Sequence, residues 1–181
     1  MLENAMPCSP IQWPIRRLTL SLAMVVCVFS MRASSAAAEG ASEITQSPDR
    51  PVAIVVHPDT GVSDLTMQEL RAIFLAEQQY WPDKSRIVLL VRAPAAYERT
   101  FVLSRIYQMS EAEFRRYWIA KMFRAEVPSG PRVVFSTNMA LGLVTAIPGS
   151  IAFMLASDVG PDVKVLRIDG KLPDENGYPL R

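Results

Sequence analysis

Short apolar runs separated by polar turns predict the strands of this chain. Val52–Val56, Ile87–Val91 and Ser150–Leu155 are almost entirely apolar, a pattern typical of strands that are covered on both faces. Shorter runs at Arg132–Phe135 and Val163–Ile168 predict two further strands. The segments between these runs carry helical patterns, so strands and helices alternate. We therefore expect an α/β fold with a parallel or mixed sheet flanked by helices.

Capping signals define where two of the helices begin. Thr66 followed by Glu69 is a capping box, and Ser110 followed by Glu113 is a second one. The third helix, which begins after Ser110, carries a stripe of Phe114, Trp118 and Met122 at intervals of four residues. An aromatic stripe with this spacing is typical of a core-facing helix. The other two helices are predicted at residues 93–109 and 139–147.

The first 38 residues have the composition of a signal peptide. Arg16 and Arg17 precede the apolar segment Leu18–Met31, and small residues at Ser35–Ala38 resemble a cleavage site. A retained N-terminal anchor is the alternative. We expect a signal peptide at 1–38, a flexible lead-in at 39–50 and the folded domain at 51–181. The expected location is periplasmic or otherwise extracytoplasmic, with no stable membrane span once the leader is removed.

Removal of the leader changes the composition in two ways. It would leave 181 − 38 = 143 residues, the size of one domain, and would remove both cysteines, Cys8 and Cys27. The remaining 19 − 3 = 16 basic and 18 − 1 = 17 acidic residues give a net charge of −1. A surface so balanced gives no electrostatic reason to expect nucleic acid or an anionic membrane as a partner.

Few residues of the chain offer catalytic chemistry. The only histidine, His57, is a candidate general base with Asp59 and a serine in a hydrolase, or else a residue of the turn that follows the first strand. With no second histidine and no cysteine in the mature chain, a zinc site is not expected. Nucleophile-elbow and phosphate-loop motifs are missing from the sequence. We expect neither enzyme activity nor a cofactor.

The start of the fourth helix differs from the two helix starts that carry capping boxes. The sequence Ser136, Thr137, Asn138 precedes a helical stretch without acidic residues. Because a helix N-terminus has unpaired N–H groups and a partial positive charge, these three residues are candidate ligands for an external anion. Alternatively, one of them only caps the helix. Arg92, at the end of a predicted buried strand, is the natural charged partner for such an anion.

The order of these motifs resembles one family, the phosphate-binding proteins of ABC transporters, and in particular its short, single-lobe members. The resemblance spans about residues 52–168. It rests on Leu65, Thr66, Glu69, Leu70, Ile73 to Leu75, Trp81, Ile87 to Arg92, Phe101, Tyr117, Trp118, Phe123 and Pro148 to Phe153.

The resemblance implies a single lobe of a type II periplasmic-binding-protein fold. It also implies a non-enzymatic, exported solute-binding protein that takes phosphate or a similar small anion and works with an ABC permease or another exported protein. The family's ligand motif is an arginine followed four residues later by Ser-Gly-Thr. Arg92 matches the arginine, whereas Ala96, Tyr97 and Glu98 replace the other three residues.

Arg99 is a further candidate ligand, since it would offset the charge of Glu98 if both face the site; the same pair would otherwise lie on a solvated face. The three replacements favour an alternative function. In that alternative the chain is a degenerate binding-protein lobe that serves as a protein interaction or sensor module and binds no anion.

Overall fold

A mixed five-stranded sheet forms the centre of the domain. The computed structural model describes residues 50–181, so the predicted leader and nearly all of the predicted lead-in lie outside the described residues. The strands are β1 (Val52–Val56), β2 (Asp64–Leu65), β3 (Val88–Arg92), β4 (Arg132–Val134), β5 (Ser150–Leu155), β6 (Lys164–Val165) and β7 (Arg167–Ile168). The helices are α1 (Met67–Phe74), α2 (Tyr97–Val102), α3 (Glu111–Phe123) and α4 (Thr137–Ala146).

The strand order in the sheet is β4-β3-β5-β1-β6. β3 runs parallel to both β4 and β5, whereas β1 runs antiparallel to β5 and β6. β2 and β7 form a separate parallel pair. The predicted α/β class with a mixed sheet flanked by helices is therefore confirmed.

Each face of the sheet is covered by a different set of helices. Side chains alternate along β1, so Ile54 packs in a core cluster with α1 and α3, and Val55 packs in a second cluster with α4. β1 and β5 are buried along their whole length, as their uninterrupted apolar runs predict. α4 is thus the helix of the opposite face, and this position matters for the site described below.

Both predicted capping boxes are present. The Thr66 and Ser110 hydroxyls accept hydrogen bonds from the amides of Glu69 and Glu113, and each glutamate carboxylate accepts one from the amide of its cap residue. Among residues 50–181, no helix has both the length and the apolar character needed to cross a membrane.

Three details of the prediction are corrected. The helix predicted at 93–109 begins only at Tyr97, because the preceding turn places Ala95 at a positive φ of 72°, and it continues as a π-helix, Leu103–Tyr107. The predicted strand Val163–Ile168 is divided between β6 and β7, since the amide of Leu166 bonds to Ile54 and the next amide to Ser63. Met122 is 41 % exposed in the last turn of α3, so the core stripe ends with Trp118.

The C-terminal tail holds the edge of β1. The amide of Val52 donates to the carbonyl oxygen of Leu180 (2.9 Å), and the Tyr178 hydroxyl donates to the carbonyl oxygen of Val52 (2.9 Å). Both tail side chains are buried in the same core cluster as Val52. The first strand of the domain therefore depends on residues near the end of the chain.

Gly149 fixes the position of β3 against the turn between α4 and β5. Its carbonyl oxygen accepts one hydrogen bond from the Trp81 indole (2.9 Å) and one from the amide of Val88 (3.1 Å). Gly149 has a φ of 75°, and a Cβ atom there would collide with the backbone carbonyl of Arg86. Only glycine fits this turn without strain.

We expect Gly149→Ala to destabilise the domain by about 2 kcal/mol or more, through the left-handed backbone and the collision with Arg86. Gly142→Ala is the matched control, because its Cβ would meet nothing within 4 Å in the middle of α4. That change should stabilise the helix by about 0.5–1 kcal/mol. Urea unfolding of both variants measures the difference, and equal stabilities would contradict this account of Gly149.

Candidate anion-binding site

The parallel strands β3 and β4 end side by side. Arg92 lies opposite Val134 in the register of the pair, and the amide of Ala93 donates to the carbonyl oxygen of Val134 (2.8 Å). α4 begins immediately after β4, with Ser136 as its N-cap. Because the carboxyl ends of parallel strands meet at one edge of the sheet, Arg92 and the start of α4 lie at the same edge.

The Arg92 side chain is on the face of the sheet that α4 covers. Leu90, two residues earlier in β3, is buried in the same cluster as Val134, Ala140 and Val144. Side chains two residues apart in a strand point to the same face. Arg92 is therefore directed to the α4 side, at the end of the sheet where that helix begins.

The guanidinium group of Arg92 has no partner within residues 50–181. Its Nε and Nη1 atoms are buried and make no hydrogen bond, and none of the ion pairs among these residues includes it. A buried donor that leaves water without gaining an acceptor costs about 1–3 kcal/mol, and more when it is charged. Such a group is expected where a ligand supplies the acceptor.

The first turn of α4 leaves amides free. The Ser136 hydroxyl oxygen accepts a hydrogen bond from the amide of Met139 (3.1 Å), so Ser136 caps the helix, which is the alternative role considered above. The amides of Thr137 and Asn138 precede any acceptor within the helix. α4 has no acidic residue in its first turn, whereas α1 and α3 each have a glutamate there. The positive end of the α4 dipole is therefore uncompensated by the helix itself.

Arg99 has a different environment from Arg92. It is only 4 % exposed, and its Nε and Nη2 atoms each donate to the Glu111 carboxylate at 2.8 Å. Its Nη1 atom donates to the carbonyl oxygen of Arg92 (2.7 Å), and its guanidinium lies 4.7 Å from the ring centroid of Phe114. These contacts make Arg99 part of the scaffold behind the site, because its donors are already used.

The start of α2 adds no side-chain donor to this edge. Ala96 is the N-cap and makes no side-chain hydrogen bond, and the ring of the exposed Tyr97 lies under the guanidinium of Arg50. Glu98 is 6 % exposed, and its carboxylate has no hydrogen bond or ion pair with another described residue. The Val102 side chain of α2 packs in the cluster with α1 and α3, on the face opposite α4.

His57 is part of the turn after β1. Its Nδ1 atom accepts a hydrogen bond from the amide of Asp59 (3.2 Å), and the Asp59 carboxylate is 3.9 Å away and almost fully exposed. No serine hydroxyl of the described part of the chain bonds to His57. Within residues 50–181, no three His, Cys, Asp or Glu side chains are grouped so that they could hold a metal ion.

Sequence reasoning missed the pair of Arg99 and Glu111. The two residues lie on different helices, so no helical spacing connects them, and Glu111 looks like an ordinary first-turn acid of α3. The one signal in the sequence is that the first turn of α3 has two glutamates, whereas a capping box needs only one. Glu113 alone completes the capping box, which leaves Glu111 free to pair elsewhere.

No protein-family model matches the sequence, and no curated protein sequence matches it. Among solved structures, the fold is similar to an ABC-type phosphate transport receptor from Vibrio cholerae (TM-score 0.59, 18 % identity, 72 % of this chain and 53 % of that one). PstS from Borrelia burgdorferi is similar at a TM-score of 0.57 with 14 % identity, over 72 % of this chain and 54 % of that one.

A third similar structure is a putative phosphate ABC transporter substrate-binding protein from Clostridium perfringens with bound phosphate. Its TM-score is 0.56 with 16 % identity, over 68 % of this chain and 47 % of that one. The chain thus spans about half the length of the solved structures it matches. At these identities the likeness establishes the fold, which is that of periplasmic binding proteins, with the coverage of a single lobe.

We expect Glu111→Gln to lower the free energy of unfolding at pH 7 by about 1–3 kcal/mol, because buried Arg99 loses its charged partner. The hydrogen bond from Arg99 holds the pKa of Glu111 below its usual range. The stabilisation is therefore complete above the unfolded pKa of about 4.3 and is lost as the pH falls through the folded pKa.

Urea unfolding between pH 7 and pH 3 tests this expectation, with the exposed Glu77→Gln as the control. The difference in the free energy of unfolding between the wild type and Glu111→Gln should become smaller towards pH 3. Glu77→Gln should have the same free energy of unfolding as the wild type at every pH. A gap that stays constant with pH would mean that the carboxylate charge has no part in holding Arg99.

Proposed function

We propose that this chain binds phosphate or a similar small anion between Arg92 and the start of α4. It would act as an exported, periplasmic or otherwise extracytoplasmic solute-binding protein, without enzyme activity, that works with an ABC permease or another exported protein. The observation that carries the proposal is the pair of buried, unpartnered nitrogens of Arg92 beside a helix N-terminus without an acidic residue.

The groups at this edge match the chemistry of an oxyanion. A guanidinium donates to two oxygens of a phosphate at once, and the amides of Thr137 and Asn138 would donate to the remaining oxygens. The Ser136 oxygen already accepts a hydrogen bond from Met139, so its own proton remains available to the anion. Ser136 and Asn138 are exposed, so an anion can enter from solvent.

The similar structures support phosphate as the anion, since one is an ABC-type phosphate transport receptor and another is a putative phosphate ABC transporter substrate-binding protein with bound phosphate. The replacement of the expected Ser-Gly-Thr residues by Ala96, Tyr97 and Glu98 removes side-chain donors on the α2 side. Binding would then depend on Arg92 and α4, and we expect it to be weaker than with a complete ring of donors.

A second candidate function is a protein interaction or sensor module that binds no anion. It is favoured by apolar side chains exposed around the same edge, where Phe135 is 74 % exposed and Met139 and Tyr97 are also exposed. Exposed apolar groups of this size often mark a surface that another protein covers. In this alternative, the partner would supply the acceptor for Arg92.

The first test replaces Arg92 by methionine. At 100 times its Kd, phosphate should stabilise the wild type by about 2.7 kcal/mol. Arg92→Met should abolish this shift and, in phosphate-free buffer, raise the free energy of unfolding by about 1 kcal/mol, because two unpaired buried donors are removed. Thermal unfolding with and without phosphate measures both effects.

Arg115→Met is the matched control, since Arg115 is exposed on α3 and should leave the phosphate effect intact. Equal loss of the shift in both variants would show that the anion does not depend on Arg92. No shift in the wild type with millimolar phosphate, sulfate or organic phosphates would reject anion binding and leave the interaction module.

The second test places a carboxylate in the first turn of α4, beside the free amides. Met139→Glu would complete a Ser-x-x-Glu capping box with Ser136, like the boxes of α1 and α3. We expect the variant to be more stable without ligand by about 0.3–1 kcal/mol and to bind phosphate at least tenfold more weakly, since the new charge competes with the anion.

Met139→Gln is the control for this change, because glutamine can complete the box without adding charge. It should weaken phosphate binding much less than Met139→Glu in isothermal titration calorimetry. If the two variants bind phosphate equally, the start of α4 does not contact the anion.

A further inference from the structure

A cavity of about 260 Å³ lies at the other end of β3 and β4. Ile87 to Leu89 line it where β3 begins, and Arg132 lines it as the first residue of β4. Val88 and Arg92 are the two ends of β3, which at 3.3 Å per residue places them about 13 Å apart. The cavity is therefore separate from the edge that carries Arg92.

Apolar side chains form one wall of the cavity, and polar residues, among them Gln78, Gln79 and Ser129, line much of the rest. α1 contributes Ile73, α3 contributes Trp118, and the loop between α3 and β4 contributes Val127, Pro128 and Pro131. Ile73, Trp118 and Val127 also belong to the main core cluster, so this wall is held rigidly. A concave cavity that combines an apolar wall with a few placed polar groups has features of a small-molecule site.

Trp118 carries a buried donor without a partner. The residue is 6 % exposed, and its indole Nε1 atom makes no hydrogen bond with the described residues. Buried indole N–H groups normally have an acceptor. Trp81 follows this rule, since its Nε1 atom donates to Gly149. Trp118 lines the cavity, so its unpaired N–H is an observation independent of the cavity's shape that points to a ligand.

The charges around the cavity have one sign. Arg86 and Arg132 both line it, both are exposed, and neither forms an ion pair with another described residue. No aspartate or glutamate is among the lining residues. Two acids adjoin lining residues in the sequence: Glu126 is already paired with Lys121 and Arg124, and Glu77 is exposed and does not line the cavity. The cavity therefore favours an anionic occupant.

We propose that this cavity binds a small organic carboxylate that carries an apolar, planar group. The carboxylate would accept hydrogen bonds from Arg86 and Arg132, and an oxygen of the ligand would be the acceptor that Trp118 lacks. The planar group would pack against Ile73 and Pro128. An inorganic anion would leave these apolar walls without contacts, and a neutral molecule would leave both guanidinium groups unpaired.

The experiment is a titration of ¹⁵N-labelled protein with benzoate, followed through the indole N–H signals of its three tryptophans. Trp118→Phe assigns the Trp118 signal. We expect benzoate to shift this signal in a saturable way and to leave the Trp81 signal unchanged. Benzamide, which has the same shape without the charge, and acetate, which lacks the ring, should each bind at least tenfold more weakly.

Arg132→Gln and Arg86→Gln should each weaken benzoate binding about tenfold or more, the loss of one charge-assisted hydrogen-bonding partner. Arg116→Gln, an exposed arginine of α3 outside the cavity, is the matched control. Arg92→Met should leave benzoate binding intact, so failure of this site is distinguishable from failure of the phosphate site.

Two results would overturn the proposal. One is a Trp118 signal that does not move at tens of millimolar benzoate. The other is evidence that the carboxylate has no role. Either unchanged benzoate binding in both Arg132→Gln and Arg86→Gln, or equal affinities for benzamide and benzoate, would provide it.

Discussion

The hydrogen bonds of Arg99 hold the end of β3 in place. One guanidinium joins the last carbonyl of β3 to the first turn of α3 through Glu111, and it packs on the ring of Phe114. A buried charge is costly unless it is paired, so the bonds of this arginine stabilise the contact between segments that no backbone ladder connects. The position of Arg92, whose carbonyl it holds, follows from that constraint.

The contrast between the two arginines is informative. Arg92 and Arg99 are seven residues apart. Each guanidinium nitrogen of Arg99 is hydrogen-bonded, whereas two buried nitrogens of Arg92 have no acceptor among residues 50–181. Arg99 thus stabilises the fold, whereas the hydrogen-bonding capacity of Arg92 is not used by the described part of the chain. Unsatisfied polar groups tend to persist where function requires them, because elsewhere they only cost stability.

Local signals in the sequence were sufficient for much of the fold. The capping boxes at Thr66 and Ser110 depend on contacts three residues apart, and the buried strands depend on uninterrupted apolar runs, so both could be predicted. The meeting of Arg92 with the start of α4 could also be anticipated in outline, as a buried strand end beside a helix without acids. The sequence does not show that β3 and β4 are parallel neighbours, and it is their register that places Arg92 opposite Val134, two residues before the N-cap of α4.

Features that depend on distant partners could not be predicted. From the sequence, Arg99 is a candidate ligand because it can offset Glu98, whereas in the fold it pairs with Glu111 of another helix. The division of Val163–Ile168 follows from bonds to Ile54 and Ser63. The cavity beside Trp118 arises from α1, α3 and a loop that come together only in the folded chain. The Arg99 pairing, the divided strand and the cavity all depend on residues far apart in the sequence, so no local pattern predicts them.

The bonds between β1 and the tail also bear on how the domain forms. Tyr178 and Val52 are 126 residues apart, and the outer edge of β1 at Val52 is completed by Leu180. Closing a loop of this length costs conformational entropy, which the burial of the tail must offset. Loss of residues 178–180 would leave the amide of Val52 without its acceptor and would remove two side chains from the core cluster that covers β1. The first strand is therefore sensitive to changes more than a hundred residues away in the sequence.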